Sequence, residues 1–287
     1  MSQRADLARK ALARALRVRQ DAGREIWQPL CVYDLAHDMG VEVRFVDAPS
    51  MEGVYYNPGR PTALVTAHRP PGRQAFTCAH ELGHHCFGHA NVVDEMVGEE
   101  QDEQIFDADE FSADCFAGFL LMPKIAVCQA FASRGWDPSR PTAEQAYVVA
   151  GQLGVSYGGL IHHLRSSLRL LAPRPADELL KVQPKDLRTR ILGDPVDEGL
   201  VVVDRSWWGR AIDVQVGELI LAPEGADVEG TCAEALGRHP RGILFRASTP
   251  GQGRLHDGAG WGAFVRVSRR GYLGRAVYRH LEDPDYV

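Results

Sequence analysis

The chain has 287 residues, of which 45% are hydrophobic and 24% charged, with a formal net charge of −6 and 11 histidines. That length accommodates two domains, and the mildly acidic balance excludes a chain that is basic overall, as a nucleic-acid module would be. Six cysteines without a Cys-x-x-Cys pair are too few for a disulfide framework and read as buried thiols of a reducing compartment.

In chain order, Arg4, Arg9, Lys10, Arg14, Arg17 and Arg19 punctuate the N-terminal stretch, and no apolar core of signal-peptide length follows. Nothing later approaches a membrane span on this reading, so the chain is expected to be soluble and cytoplasmic. Leu7, Ala11, Leu12, Ala15, Leu16 and Arg19 recur at helical spacing. They predict a helix over 4–20 that packs one face and keeps its arginines wet. A short helix over 29–39, closed by Gly40, precedes a half-buried strand over 41–46, where Val41, Val43 and Phe45 alternate with Glu42 and Arg44. Tyr55–Tyr56 and 63–66 flank the turn signal Asn57-Pro58-Gly59 and predict a hairpin. Its edge strand would hold an extended peptide by backbone hydrogen bonds. Tyr55 and Tyr56 are candidates to stabilise an oxyanion, beside the commoner role of a strand tyrosine in packing.

The most informative residues follow: His80-Glu81-Leu82-Gly83-His84. On a helix, positions four apart share a face, so both imidazoles can grip one metal ion. Glu81 then lies beside the open coordination position, where a carboxylate can take a proton from water. Two solvated histidines on a helix surface are the competing reading. A catalytic zinc needs a third protein ligand. The pattern with a third histidine fits poorly, because Phe87 and Ala90 occupy the glycine and histidine positions while Gly88 and His89 are each one residue off. The other solution is a glutamate from a second helix, and Asp109 to Ala117 fits it. Glu110 would ligate the metal, and Asp114, four residues on, would accept a hydrogen bond from the far nitrogen of a ligand histidine. An ordinary surface carboxylate pair is the alternative there. Between the two helices, Asp94 to Glu110 holds nine acids in 17 residues without lysine or arginine. That run reads as a solvated loop, or as an acidic rim that attracts a basic substrate.

The runs FTCAHELGHHCFGH (Phe76–His89) and EFSADCFAGFLLMP (Glu110–Pro123), with GVYYNPG upstream, resemble the ImmA/IrrE family of bacterial metallopeptidases over roughly residues 5 to 172. The resemblance implies a zinc endopeptidase, with manganese as an alternative metal, whose ligands are His80, His84 and Glu110 and whose general base is Glu81. It implies site-specific cleavage of a helix-turn-helix repressor, relieving repression under stress, DNA damage or in anti-phage defence. Cys78, Cys86 and Cys115 depart from the pattern, and a thiol capping the metal's open position is one way to silence such a site.

Downstream, Thr142 and Gln145 form a capping box that opens a helix through Gln152, Leu153-Gly154-Val155 makes a turn, and Ser156 caps a helix through Leu168. This pattern resembles a helix-turn-helix, but Gly158 and Gly159 occupy the positions that would read bases, so a helical support for the peptidase is expected. Pro173-Arg174-Pro175 marks a boundary. Beyond it, short apolar runs separated by turn residues predict a β-rich half. The glycine-rich 249–262 reads as a loop, not a nucleotide site. The expected architecture is α+β: a zincin-like metallopeptidase core (1–123), a helix-turn-helix-like segment (124–173) and a β-rich sensory domain (174–287), GAF-like by resemblance. Single-stranded DNA, a small ligand or raised metal are candidate activating signals. Two rival functions stand beside this one: a DNA-binding transcription regulator with a non-catalytic metal site, and a DNA-activated protease of broad specificity.

Overall fold

Periodicity in the first half resolves into helices laid on a mixed sheet. The computed structural model describes residues 3–89, 92–95 and 106–281. Contacts divide the chain into two units, Met1–Val127 with Leu273–Val277, and Cys128–Tyr272 with Tyr278–Val287.

The first unit opens with helix α1 (Gln3–Asp21) and α2 (Val32–Asp38). Strands β1 (Glu42–Val46), β2 (Met51–Tyr56) and β3 (Thr62–Thr66) follow, then α3 (Pro71–Phe87), β4 (Val92–Glu95), α4 (Ala108–Leu121) and α5 (Lys124–Ala132), the last running past the unit's end. With β13 (Gly274–Arg275), the strands form a five-stranded sheet in the order β13-β1-β3-β2-β4. The hairpin is present, with Tyr55 opposite Ala63 and Gly53 opposite Val65. Neither of its strands is an edge, however: β3 is parallel to β1 on its other side, and β4 covers the outer side of β2. The edge expected at the hairpin is therefore β4, because residues read as acidic loop pair instead with β2. Of that acidic run, 96–105 lie outside the described residues.

Helix α1 corrects another expectation, since one of its arginines, Arg19, is not wet. Arg19 is fully buried, and burial lowers its guanidinium to about 10, which leaves it charged at neutral pH. Its Nε donates to the Leu120 carbonyl at 2.8 Å, and Nη1 donates to the carbonyls of Glu25 and Gln28, each at 2.9 Å. Arg14 donates to the Cys86 carbonyl through Nε at 3.1 Å and Nη2 at 2.5 Å. Cys86 and Leu120 lie in the last turns of α3 and α4, where carbonyls lack helical partners and the helix dipole favours a cation. One helix thus braces the ends of two others.

The stretch Ala108–Ala132 is apolar and long enough to cross a membrane by composition, contrary to the sequence reading. It is interrupted between α4 and α5, and 67% of its most apolar window is buried within the protein, as in a core helix. Phe116, Leu120, Leu121 and Val127 from it are fully or almost fully buried.

The second unit begins with helices and continues as strands. The capping box at Thr142 opens α6 (Ala143–Leu153), Gly154 closes it in the left-handed region at φ 69°, and Ser156 caps α7 (Tyr157–His162), which runs on as a π-turn over His163–Ser167. These helices are built into the second unit: the Tyr147 hydroxyl donates to the Leu200 carbonyl at 2.7 Å, and Gln152 donates to the Ser206 carbonyl at 3.3 Å. The paired prolines of the boundary start α8 (Pro173–Leu180), and α9 (Pro184–Leu192) follows, each with proline in its first turn.

Strands β5 (Leu200–Val202), β6 (Ala211–Gln215), β7 (Leu219–Ala222), β8 (Asp227–Glu229), β9 (Ala233–His239), β10 (Gly242–Ala247), β11 (Gly251–His256) and β12 (Gly262–Ser268) form two four-stranded sheets, β5-β7-β10-β9 and β6-β12-β11-β8. Trp207, Ile212, Ile220, Phe245, Leu255 and Val265 are among the residues of their common core. The glycine-rich segment read as a loop is largely a hairpin, β11–β12. Asp257 closes its turn by accepting from the amides of Ala259 (2.8 Å) and Trp261 (3.0 Å). Gly253 lies so close to β8 that a Cβ there would come within 2.7 Å of the Glu229 carbonyl oxygen.

Replacing Arg19 with methionine keeps the apolar stem but strips three carbonyls, that of Leu120 buried, of their donor. The expected loss is roughly 2–4 kcal/mol, read from urea denaturation by circular dichroism. Gly83→Ala would press a Cβ to 2.9 Å from the Ala113 Cα on α4. It should cost about 1–3 kcal/mol as the two helices separate, and should weaken metal binding in a chelator competition.

Candidate metal centre

Helix α3 starts on Pro71 and contains no later proline, so it carries the five-residue motif without a kink. His80, Glu81 and His84 are all buried, the last two completely. Helix α4 begins where it does because Asp107 caps it, accepting from the amides of Asp109 (2.8 Å) and Glu110 (3.2 Å). Glu110 therefore sits in the first turn, where the helix dipole favours a negative charge, and it points at α3.

His80 Nε2 and His84 Nε2 lie 2.9 Å apart. Glu110 brings Oε2 to 3.2 Å from the first and Oε1 to 3.5 Å from the second. Donors on a tetrahedral zinc, each at about 2.0–2.1 Å, are separated from one another by about 3.3 Å. The three separations bracket that value, and the donor set of two imidazole nitrogens and a carboxylate leaves a position open. Among the described residues, this is the group that brings three metal-ligating atoms within 4.8 Å of one another. The residues present thus fit a metal ion.

The far nitrogens of both histidines are engaged. His80 Nδ1 is 3.0 Å from Asp114 Oδ1, the contact expected from the spacing of Glu110 and Asp114. His84 Nδ1 is 2.9 Å from His89 Nδ1. Each contact fixes which ring nitrogen faces inward.

Glu81 lies under strand β2. A Cβ at Gly53 would come to 2.1 Å from Glu81 Oε1 and 2.6 Å from Thr77 Cγ2, so only glycine leaves room for this carboxylate. Tyr55 is buried, its hydroxyl sharing a 2.8 Å hydrogen bond with His85 Nδ1, and Tyr56 is 50% exposed. Cys78 and Cys86 are buried and Cys115 half-buried, and none belongs to the three-atom cluster. Burial pushes the thiols of Cys86 and Cys115 up to about 11, the latter with the Asp114 charge adding to it.

Sequence reasoning missed Gly53, Asp107, Asp109 and His89. Two of these left a signal: a glycine inside a strand marks a close approach, and an aspartate just before an apolar helix marks a cap. His89 left only the glycine before it.

Comparison with known proteins bears on this geometry. No curated protein matches the chain. Among solved structures, a Mycobacterium tuberculosis transcriptional regulator is 21% identical, with a TM-score of 0.36, over 60% of this chain and 49% of its own. The chain thus spans about half the length of that protein. A family model, the IrrE N-terminal-like domain of a peptidase family, matches residues 36–165. That match contains α3 and α4 with His80, His84 and Glu110, and it agrees with the resemblance carried by the two motifs: residues 36–165 are similar to an IrrE N-terminal-like domain.

Proposed function

We propose that this chain is a zinc-dependent endopeptidase that cuts a helix-turn-helix transcriptional repressor at one site and so relieves repression under stress or DNA damage. The observation that carries the reading is the convergence of His80, His84 and Glu110 at ligand-like separations, on the same helix face as a buried glutamate. On α3, Glu81 is 60° around the axis from His84, on the side of the metal-binding pair. A structural zinc site is closed by four ligands and has no use for a carboxylate next to an open position.

His80, His84 and Glu110 would hold the ion. When bound, zinc supplies Lewis acidity that polarises a peptide carbonyl and makes water acidic near neutral pH. Glu81 takes the proton from the attacking water and returns it to the leaving amine. Asp114 keeps His80 in the tautomer whose Nε2 faces inward. Gly53 gives Glu81 its place. Manganese would suit the same nitrogen and oxygen donors less selectively. The β-rich second unit is the natural place for a regulatory, GAF-like sensing role, with single-stranded DNA as one candidate signal.

The test is cleavage of the helix-turn-helix repressor encoded nearest this chain's own gene, with and without single-stranded DNA. The wild type should yield discrete fragments, and Glu81→Gln should lower the rate by about 10²–10⁴-fold while retaining zinc. Equal activity of Glu81→Gln, or tight duplex binding with no cleavage, would replace this reading with that of a DNA-binding regulator. Digestion of many unrelated proteins once DNA is added would point instead to a broad-specificity protease.

A further inference from the structure

The three-histidine pattern is missed by one residue at Gly88 and His89, and the structure assigns those two residues another task. Helix α3 ends at Gly88, which adopts the left-handed conformation (φ 70°, ψ 28°) that glycine tolerates without strain. The turn folds the chain back, so that the His89 amide donates to the His84 carbonyl at 3.1 Å. The same fold-back lays the His89 ring over His84, with Nδ1 to Nδ1 at 2.9 Å. Beyond it, His89 Nε2 is 3.2 Å from Asp109 Oδ1. Phe87 stacks on the His89 ring, with centroids 5.6 Å apart and planes 20° from parallel.

We propose that His89 is a positioning residue for the metal centre: with Asp109, it forms a hydrogen-bonded relay that locks His84 in the tautomer and orientation needed to bind the ion. The proposal rests on the metal-site reading above.

The proton count along the relay closes. With Nε2 of His84 turned to the metal, its Nδ1 carries the hydrogen and donates. The facing His89 Nδ1 must then accept, which places the His89 hydrogen on Nε2, and that nitrogen donates to the Asp109 carboxylate. Each contact along the line has one donor and one acceptor, with both imidazoles neutral. The relay also explains an asymmetry of the site. His80 meets a carboxylate directly, at Asp114, whereas His84 reaches one through a second imidazole. Asp109 and Asp114 flank Glu110 on α4, so one helix supplies a metal ligand and the anchors for both histidines. Hydrogen-bond partners of metal-bound histidines raise affinity by holding the ring ready and by increasing its basicity.

The experiment measures zinc affinity of the full chain by competition with a chromogenic chelator, and the visible absorption of the cobalt(II)-loaded form. The variants are His89→Phe, His89→Asn, Asp109→Ala and the double variant. His89→Phe keeps the ring on Phe87 but removes the acceptor, and it should weaken zinc binding by about 10–100-fold and alter the cobalt spectrum. The melting temperature of the metal-free protein should stay unchanged. His89→Asn puts a carbonyl oxygen near the place of Nδ1 and should recover most of the affinity. Asp109→Ala should cost a few-fold in the wild type and nothing further beside His89→Phe, because the relay is already cut. Binding by His89→Phe within about twofold of wild type, or equal effects of Asp109→Ala in both backgrounds, would overturn the relay while leaving the metal site intact. If wild type binds no zinc, or His84→Ala binds it as well as wild type, the metal-site reading falls and the relay with it.

Discussion

The close approach of α3 to α4 is the constraint on which the rest of this site depends. Gly83 sits where any side chain would meet the backbone of Ala113. The two helices therefore touch nearly backbone to backbone at the level of the histidines. A glutamate side chain is short, and only at this separation can Glu110 reach both His80 and His84. The approach is held from outside as well. Arg14 and Arg19 of α1 occupy the C-terminal carbonyls of α3 and α4, and a cation at those ends is favoured both by the unpaired carbonyls and by the helix dipole.

Glycine recurs at each point where the site needs room or a turn. Gly83 brings the helices together, Gly53 admits the Glu81 carboxylate beneath β2, and Gly88 reverses the chain so that His89 meets His84. The first two act by lacking a side chain, the third by tolerating a positive φ. Burying a carboxylate and two imidazoles in so small a volume is costly unless each atom has work to do. The contacts of Asp114, His89 and Asp109 around the histidines distribute that cost over hydrogen bonds, and they orient the inward nitrogens at the same time.

The second unit follows different rules. Its two sheets share a core of Trp207, Ile212, Phe245 and Val265, and Gly253 makes room there for the backbone of β8. Helices α6 and α7 have the caps and the turn of a helix-turn-helix, yet they are tied by Tyr147 and Gln152 to residues around Leu200 and Ser206. Gly158 and Gly159 stand where base-reading side chains would be required.

Much of this was legible in the chain itself, because it depends on short-range rules. Helical spacing located α1, α3 and α4, the capping box at Thr142 opened α6, and the motif with Glu110 named the three residues whose ligand-type atoms converge. What tertiary structure alone decided depends on which distant residues meet. Arg19 looked like one more wet arginine until the end of α4 supplied a carbonyl from 101 residues away. The hairpin looked like a sheet edge until β4 paired with it, and the glycine-rich stretch became a hairpin because β8 and β12 flank it. His89 gained its place from a left-handed turn and a partner on another helix. Periodicity and capping act over a few residues and are written in local sequence; burial, strand neighbours and hydrogen-bond relays are properties of the folded surface, and no local pattern encodes them.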